Sequence, residues 1–144
     1  MTLAELINSD AQALALARSG ADDACARRVN EIAPKVLTSA VYSYAGLADK
    51  VAIDVLDRVI RSVDLHIESG APFASVVREM REKLRSDGID LANRNSVGML
   101  QSWAANEAFP LTEQDVATIV DAIGTRPTYS GVDVANLGLF TAGN

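Results

Sequence analysis

Apolar residues recur with a helical period from Asp49 to Ser69, the clearest hydrophobic pattern in the chain. One row repeats at every fourth position and a second runs beside it: Val51, Val55, Val59, Val63 and Ile67, then Ala52, Leu56, Ile60 and Val63. Such rows form a broad stripe along one face of an α-helix, whereas a half-buried strand would alternate. The pattern predicts one long helix, stopped by Gly70, on which the other elements pack.

Capping residues predict shorter helices before this stretch. Thr2 and Glu5 have the spacing of a capping box, in which each side chain bonds a free backbone N–H group of the other. A second sequence with the capping-box spacing, Ser9-Asp10-Ala11-Gln12, starts a second helix. Asp22 or Asp23 can cap a third helix, which ends near Ala33, before Pro34. Residues Lys35 to Tyr44 are β-prone but have no evident partner strand. We interpret them as an extended linker into a helical turn near Ser43–Asp49.

Similar signals predict helices after the long stretch. Pro72 suits the first position of a helix that continues to Ser86. Its expected core-facing side comprises Phe73, Val76, Val77, Met80 and Leu84. Ser96, Thr112 and Ser130 are the expected caps of three further helices, of which the second ends at Gly124 and the third at Gly138.

These elements predict an all-α fold: a compact bundle of about six to eight short and medium helices around a long central helix. The expected organisation is a single domain over residues 1–144. It comprises short N-terminal helices (1–34), a linker (35–46), a central helical hairpin (47–94) and C-terminal helices (95–144). The short connection at Gly70-Ala71 favours antiparallel packing of 47–69 beside 72–86.

Composition narrows the class of protein. The chain has 144 residues, of which 49% are hydrophobic, enough for the core of one domain. It contains no apolar run long enough to span a membrane, and its first residues lack the basic start of a signal peptide. The single cysteine, Cys25, excludes an internal disulfide and suggests synthesis in a reducing cytosol.

The formal net charge of −6 is unevenly distributed. Residues 95–144 contain five acidic side chains and one basic side chain, Arg126. Because phosphate contacts need clustered cations, we expect no nucleic-acid partner. The acidity is compatible with an ordinary soluble protein or with an acidic face that binds a basic partner.

The inventory of reactive side chains argues against catalysis. A zinc site would need more ligands than His66 and Cys25, the only histidine and the only cysteine. His66 falls inside the long helix and Cys25 among small residues, so we interpret both as packing residues, although Arg27 and Arg28 could activate the thiol. No nucleotide-binding, hydrolase or metalloprotease motif is present. We therefore expect no enzyme, no cofactor and no metal site.

The remaining candidates for function are residues that could bind another protein. Four aromatic residues fall in the last third of the chain, with acidic residues between them: Trp103, Phe109, Tyr129 and Phe140, with Asp115 and Asp121. Aromatic anchors beside charged residues are typical of protein interfaces, but core packing explains the same aromatic residues.

Several segments resemble small proteins encoded by tailed bacteriophages. They are Met1–Asp10, the corner Gly88-Ile89-Asp90-Leu91, the start Leu111–Asp115 of a helix that ends at Gly124, and Ser130–Gly138. These segments are caps and turns and lie mainly in the C-terminal half. The resemblance implies short helices and genes that lie among virion genes, and it carries no catalytic motif.

Together, the residues and the resemblance predict a non-catalytic bacteriophage protein that acts through protein–protein contacts. The first hypothesis is a minor structural or accessory component of the virion. Such a protein is synthesised in the host cytoplasm and can then be located in the virion. The hypothesis is compatible with an oligomer. The alternative hypothesis is a phage-encoded inhibitor of a host enzyme or defence complex that uses an acidic surface.

Overall fold

A computed structural model describes residues 1–141, which form two compact units. Unit 1 combines Met1–Lys35 with the segment that starts at Arg126, and unit 2 is Val36–Thr125. The sequence predicted one domain with 95–144 as a single set of C-terminal helices. In the structure, the last part of that set packs with the N-terminal helices, because its apolar side chains join their core.

The predicted all-α class is confirmed: the described residues form nine helices and one small sheet. The helices are α1 Leu3–Ser9, α2 Ala11–Arg18, α3 Asp22–Ile32, α4 Tyr44–Ala48, α5 Ile53–Glu68, α6 Ala74–Leu84, α7 Arg94–Ala104, α8 Glu113–Ile123 and α9 Gly131–Ala135. The strands are β1 Val41–Tyr42 and β2 Ile89–Asp90. Within residues 1–141, no helix has both the length and the apolar character that crossing a bilayer requires.

In unit 1, α1, α2, α3 and α9 pack around apolar side chains, of which more than half are Ala or Cys. The buried residues are Leu6, Ile7, Ala13, Ala17, Cys25, Ala26, Val29, Ala33 and Val134. The capping box at Thr2 forms as predicted, and Ser130 caps α9 as predicted, in a capping box with Asp133. Asp10 alone caps α2, by accepting from the Ala13 N–H group. Asp22 and Asp23 do not cap α3 but occupy its first turn, where the helix dipole favours acids.

Unit 2 is built on α5, whose apolar stripe is buried against the helices around it. Its core comprises Leu47, Val51, Val55, Leu56, Val59, Val63, Val77, Leu84, Leu91, Leu100, Trp103, Leu111 and Ile119. The long helix was expected from Asp49 but begins at Ile53. The N–H groups of Lys50 and Val51 bond instead to the Leu47 carbonyl and end α4, the helical turn predicted here.

Residues 35–46 were predicted to form a linker, but part of this segment is a β-strand. Val41–Tyr42 pairs antiparallel with Ile89–Asp90, in the segment expected to form only an apolar corner. Gly88 permits this approach: it has φ 93°, and a Cβ there would lie 2.5 Å from the Tyr42 carbonyl carbon. Partners so far apart in sequence leave no local signal, so the pairing could not be read from the pattern.

Tyr44, the first residue of α4, packs against the core of unit 2. The Tyr44 Oη atom is buried and has no hydrogen-bond partner among residues 1–141. Burial, with the charge of Asp64 as a smaller cause, raises the pKa of Tyr44 to about 12. The phenol is therefore neutral and contributes mainly the packing of its ring.

Two further predicted helix starts are shifted. Pro72 lies outside α6, and Phe73 is its N-terminal flanking residue, with no side-chain cap. Asn93 caps α7 by accepting from the Asn95 N–H group, while Ser96 is buried within the helix. Thr112 caps α8 as predicted, in a capping box with Asp115, and Gly124 ends it.

Candidate protein-binding groove

The four predicted aromatic residues are divided between the two units. Trp103, which is 3% exposed, and the half-buried Phe109 belong to the core of unit 2. Tyr129 is half-buried against the core of unit 1, where its backbone N–H and carbonyl groups bond to the Asn30 side chain. Only Phe140, at 57% exposure, presents a large apolar surface; it lines an open concavity of about 450 Å³ in unit 1. Core packing therefore accounts for three of the four.

Of the two predicted acidic residues, Asp121 is exposed on α8, whereas Asp115 is buried. Asp115 accepts hydrogen bonds from Arg58 Nε at 2.7 Å and Arg58 Nη2 at 2.8 Å. Its Oδ2 atom also accepts from the Thr112 N–H group at 3.0 Å. The hydrogen bonds from Arg58 hold the pKa of Asp115 below its usual range. This carboxylate joins α8 to α5 and is not part of an exposed acidic face.

His66, buried beside Trp103 and Phe109, connects the core to the corner before α6. The Trp103 indole N–H group donates to His66 Nδ1 at 2.9 Å. An indole nitrogen can only donate, so Nδ1 must be unprotonated. The proton of the neutral ring is therefore on Nε2, which lies 2.8 Å from the Pro72 carbonyl oxygen and donates to it. Both ring nitrogens are used within the fold.

Phe73, the residue after this anchored carbonyl, has an uncommon conformation. Its φ is 66°, in the left-handed region, and its side chain is 73% exposed. A non-glycine residue in that region costs on the order of 1 kcal/mol. An exposed aromatic side chain gains little from burial to offset this cost. Such a residue at the end of an anchored turn is a candidate binding residue.

Phe73 forms one wall of an open groove between α6 and α7, here called the α6–α7 groove. Its lining residues are Phe73, Val76, Val77, Met80, Arg94, Asn95, Gly98 and Met99, and its volume is about 390 Å³. Val76 is 52% exposed, and a Cβ placed on Gly98 would meet no heavy atom within 4 Å other than its chain neighbours and the backbone of α7. The groove is therefore open to solvent at Gly98 and flanked by apolar side chains.

The groove differs from three other cavities of the described chain. One, of about 270 Å³, is lined by Arg61, Asp64, Leu65, Glu68 and Pro110, so its cation lies beside two acids and no aromatic residue. An apolar cavity within the core of unit 2 has a volume of only about 30 Å³, too small for an organic ligand. The concavity beside Phe140 is lined by Ser19, Gly20, Asp22, Val134, Ala135 and Leu139, and thus by no cation. The α6–α7 groove combines an exposed strained aromatic residue with a cation, Arg94.

The sequence pattern does not indicate this groove, because it places Phe73, Val76 and Met80 on the expected core-facing side of the helix. In the structure, Val77 and Leu84 are the buried positions of α6, while Phe73 and Val76 are exposed. Two signals were available: an apolar stripe wider than a short helix needs, and Gly98 in the interior of a helix.

The reactive side chains lie elsewhere in the fold. Cys25 is buried in unit 1, where its Sγ atom donates to the Ala13 carbonyl oxygen at 3.3 Å and burial raises the pKa of its thiol. A raised pKa disfavours the nucleophilic thiolate. In the part of the chain that the structure describes, no three His, Cys, Asp or Glu side chains are grouped to hold a metal ion.

No protein-family model, curated protein or solved structure shows significant similarity to this chain. Its class is therefore defined by its own geometry: a helical protein of two compact units, of which unit 2 carries an exposed apolar groove.

Proposed function

We propose that this protein acts through contact with another protein and that the α6–α7 groove is the contact surface. The observation that carries the proposal is the exposure of Phe73 and Val76 on the wall of an open apolar groove. Exposed apolar side chains that line one concave surface gain free energy when a partner covers them, at about 25 cal/mol per Å².

The anchoring of the groove supports the same function. The His66–Pro72 hydrogen bond fixes the backbone beside Phe73, and His66 is itself held by Trp103. A wall held in place before binding loses less conformational entropy when a partner arrives. The contact surface is thus preorganised by the core of unit 2.

Within this function, we propose a minor structural or accessory component of a bacteriophage virion. The support is the resemblance of its caps and turns to small proteins of tailed phages, together with the groove. The protein would be made in the host cytoplasm and then incorporated into the particle through the groove.

Crosslinking in the phage-infected host tests both the groove as the contact surface and the role in the virion. A photo-crosslinking amino acid replaces Val76 in one variant and Ile53 in another; both are exposed apolar residues of unit 2, at 52% and 81%. We expect position 76, and not position 53, to yield an adduct with a virion protein. Mass spectrometry of purified particles should detect the chain in a fixed ratio to that protein. Equal adducts at both positions would contradict the groove, and particles without the chain would contradict the virion assignment.

The alternative function, an inhibitor that uses an acidic surface, is supported only by composition. Asp115, one of its named residues, is engaged by Arg58 inside unit 2. Capture of a host enzyme from lysate, weakened by high salt and by charge reversal at Asp121, would favour this alternative over a virion role.

A further inference from the structure

We infer that the α6–α7 groove binds an amphipathic helical segment of the partner, with apolar residues in the groove and a carboxylate against Arg94. The inference rests on the proposed contact function and specifies the chemistry of the partner. It follows from the side chains of the groove, its one charge and its shape.

The apolar walls select the apolar face of the partner. Met80 and Met99 line the groove together with Phe73 and Val76. Methionine side chains are unbranched and polarizable, so they adapt to the outline of an inserted side chain. The missing side chain at Gly98 leaves space for such an insertion. Grooves between two helices that receive the i, i+3 and i+4 positions of a third helix are a recurrent mode of recognition.

The charge of the groove selects the polar side of the partner. Arg94 is the only charged residue among those that line the groove. It is exposed, and it makes no ion pair with the other residues in 1–141. A carboxylate is the group that complements this unpaired cation.

The same charges disfavour a second copy of this chain as the occupant. Each copy carries a formal net charge of −6, so two copies repel each other over the whole surface. Physiological salt screens this repulsion beyond about 8 Å, but charges of two copies that lie within that distance at the contact still repel each other, whereas Arg94 attracts a single partner carboxylate at short range. A short acidic segment therefore fits the groove better than a second protein of high negative charge.

Selection from a random, helix-favouring peptide library, displayed and applied to the purified full chain, tests this inference. We expect the enriched peptides to combine apolar residues at helical spacing with an Asp or Glu at one fixed offset. Arg94→Glu should weaken them about tenfold or more, and replacing the peptide acid by Lys should restore binding to that variant. Gly98→Leu, which fills the open position, should also abolish binding.

Ile53→Ser provides the matched control, because Ile53 is an exposed apolar residue of unit 2 that does not line the groove. It should leave peptide binding unchanged, and Trp103 fluorescence should show that every variant is folded. Three results would overturn the inference: no enriched peptide, enrichment without an acidic preference, or a dimer that Val76→Ser dissociates. In each case, an adduct at position 76 with a virion protein would still support the proposed function. Failure of the helical-segment inference is therefore distinguishable from failure of the proposed function.

Discussion

Replacement of Asp115 by Ala tests whether this acid is a structural residue of unit 2. Its side chain is 5% exposed and accepts two hydrogen bonds from the Arg58 guanidinium and one from the Thr112 backbone. Loss of a cap costs about 0.5–2 kcal/mol, and breaking a fully buried pair costs about 3–5 kcal/mol. Because the Arg58 side chain remains 32% exposed, water replaces part of the lost interaction. We expect the free energy of unfolding to fall by about 2–3 kcal/mol.

Urea denaturation followed by Trp103 fluorescence measures this change. Trp103 is the only tryptophan in the chain and is buried in unit 2, so its emission reports the unfolding of that unit. With a slope of about 1–2 kcal/mol per molar urea, the midpoint should fall by roughly 1–3 M. Asp54→Ala is the matched control: Asp54 bonds the same Arg58 at 3.4 Å, but its side chain is 66% exposed. That substitution should cost less than about 0.5 kcal/mol.

The pH dependence gives a second measurement of the same interaction. The pKa of Asp115 is lowered in the folded protein, while in the unfolded chain it is about 3.9. The ion pair therefore stabilises the fold fully above about pH 5, and this stabilisation is lost as the pH falls through about 4 toward the lowered pKa. The difference in stability between the wild type and Asp115→Asn should shrink over that range. Equal costs for the Asp115 and Asp54 substitutions, or a difference that does not change between pH 6 and 3, would refute the reasoning.

Three further substitutions test other parts of the structure. His66→Ala leaves the buried indole N–H group of Trp103 without its acceptor, so unit 2 should lose about 2–4 kcal/mol in the same urea assay; a loss below about 0.5 kcal/mol would contradict the anchoring role. Gly98→Ala should raise the stability of unit 2 by about 0.5–1 kcal/mol, because Gly98 is inside a helix and has open space around it. A lower stability would show that other side chains fill the space beside Gly98. Gly131→Ala should destabilise unit 1 by about 1–3 kcal/mol, because its Cβ would clash with the Asp23 carboxylate. Faster hydrogen exchange in α3 would report this loss, and Asp23→Ala should reverse part of it.

Local chemistry made much of the secondary structure predictable. The caps Thr2, Thr112 and Ser130 were recognised because each is a Ser or Thr just before a helical pattern. The capping box at Thr2 was also recognised, because its partner Glu5 is three residues away. The core positions of α5 were also predictable from nearby residues, because Val55, Val59 and Val63 repeat at every fourth position within one helix.

The candidate site was not predictable in this way, because it depends on residues far apart in the sequence. A stripe shows which side chains share a helix face but not how much of that face a neighbouring helix will cover. Val76 and Val77 are adjacent apolar residues on α6, yet only Val77 is buried. The same limit applies to Asp115, whose partner Arg58 lies on another helix.

The sequence by itself determined the helical class, the helix caps at Thr2, Thr112 and Ser130, and the packing role of Cys25, because each depends on neighbours within a few residues. Only the tertiary structure decided that Trp103 holds His66, that His66 holds the carbonyl of Pro72, and that Phe73 and Val76 remain exposed. The physical reason is that burial and hydrogen bonding between helices are properties of pairs of distant segments. A groove exists only where two such segments have packed and left apolar surface uncovered.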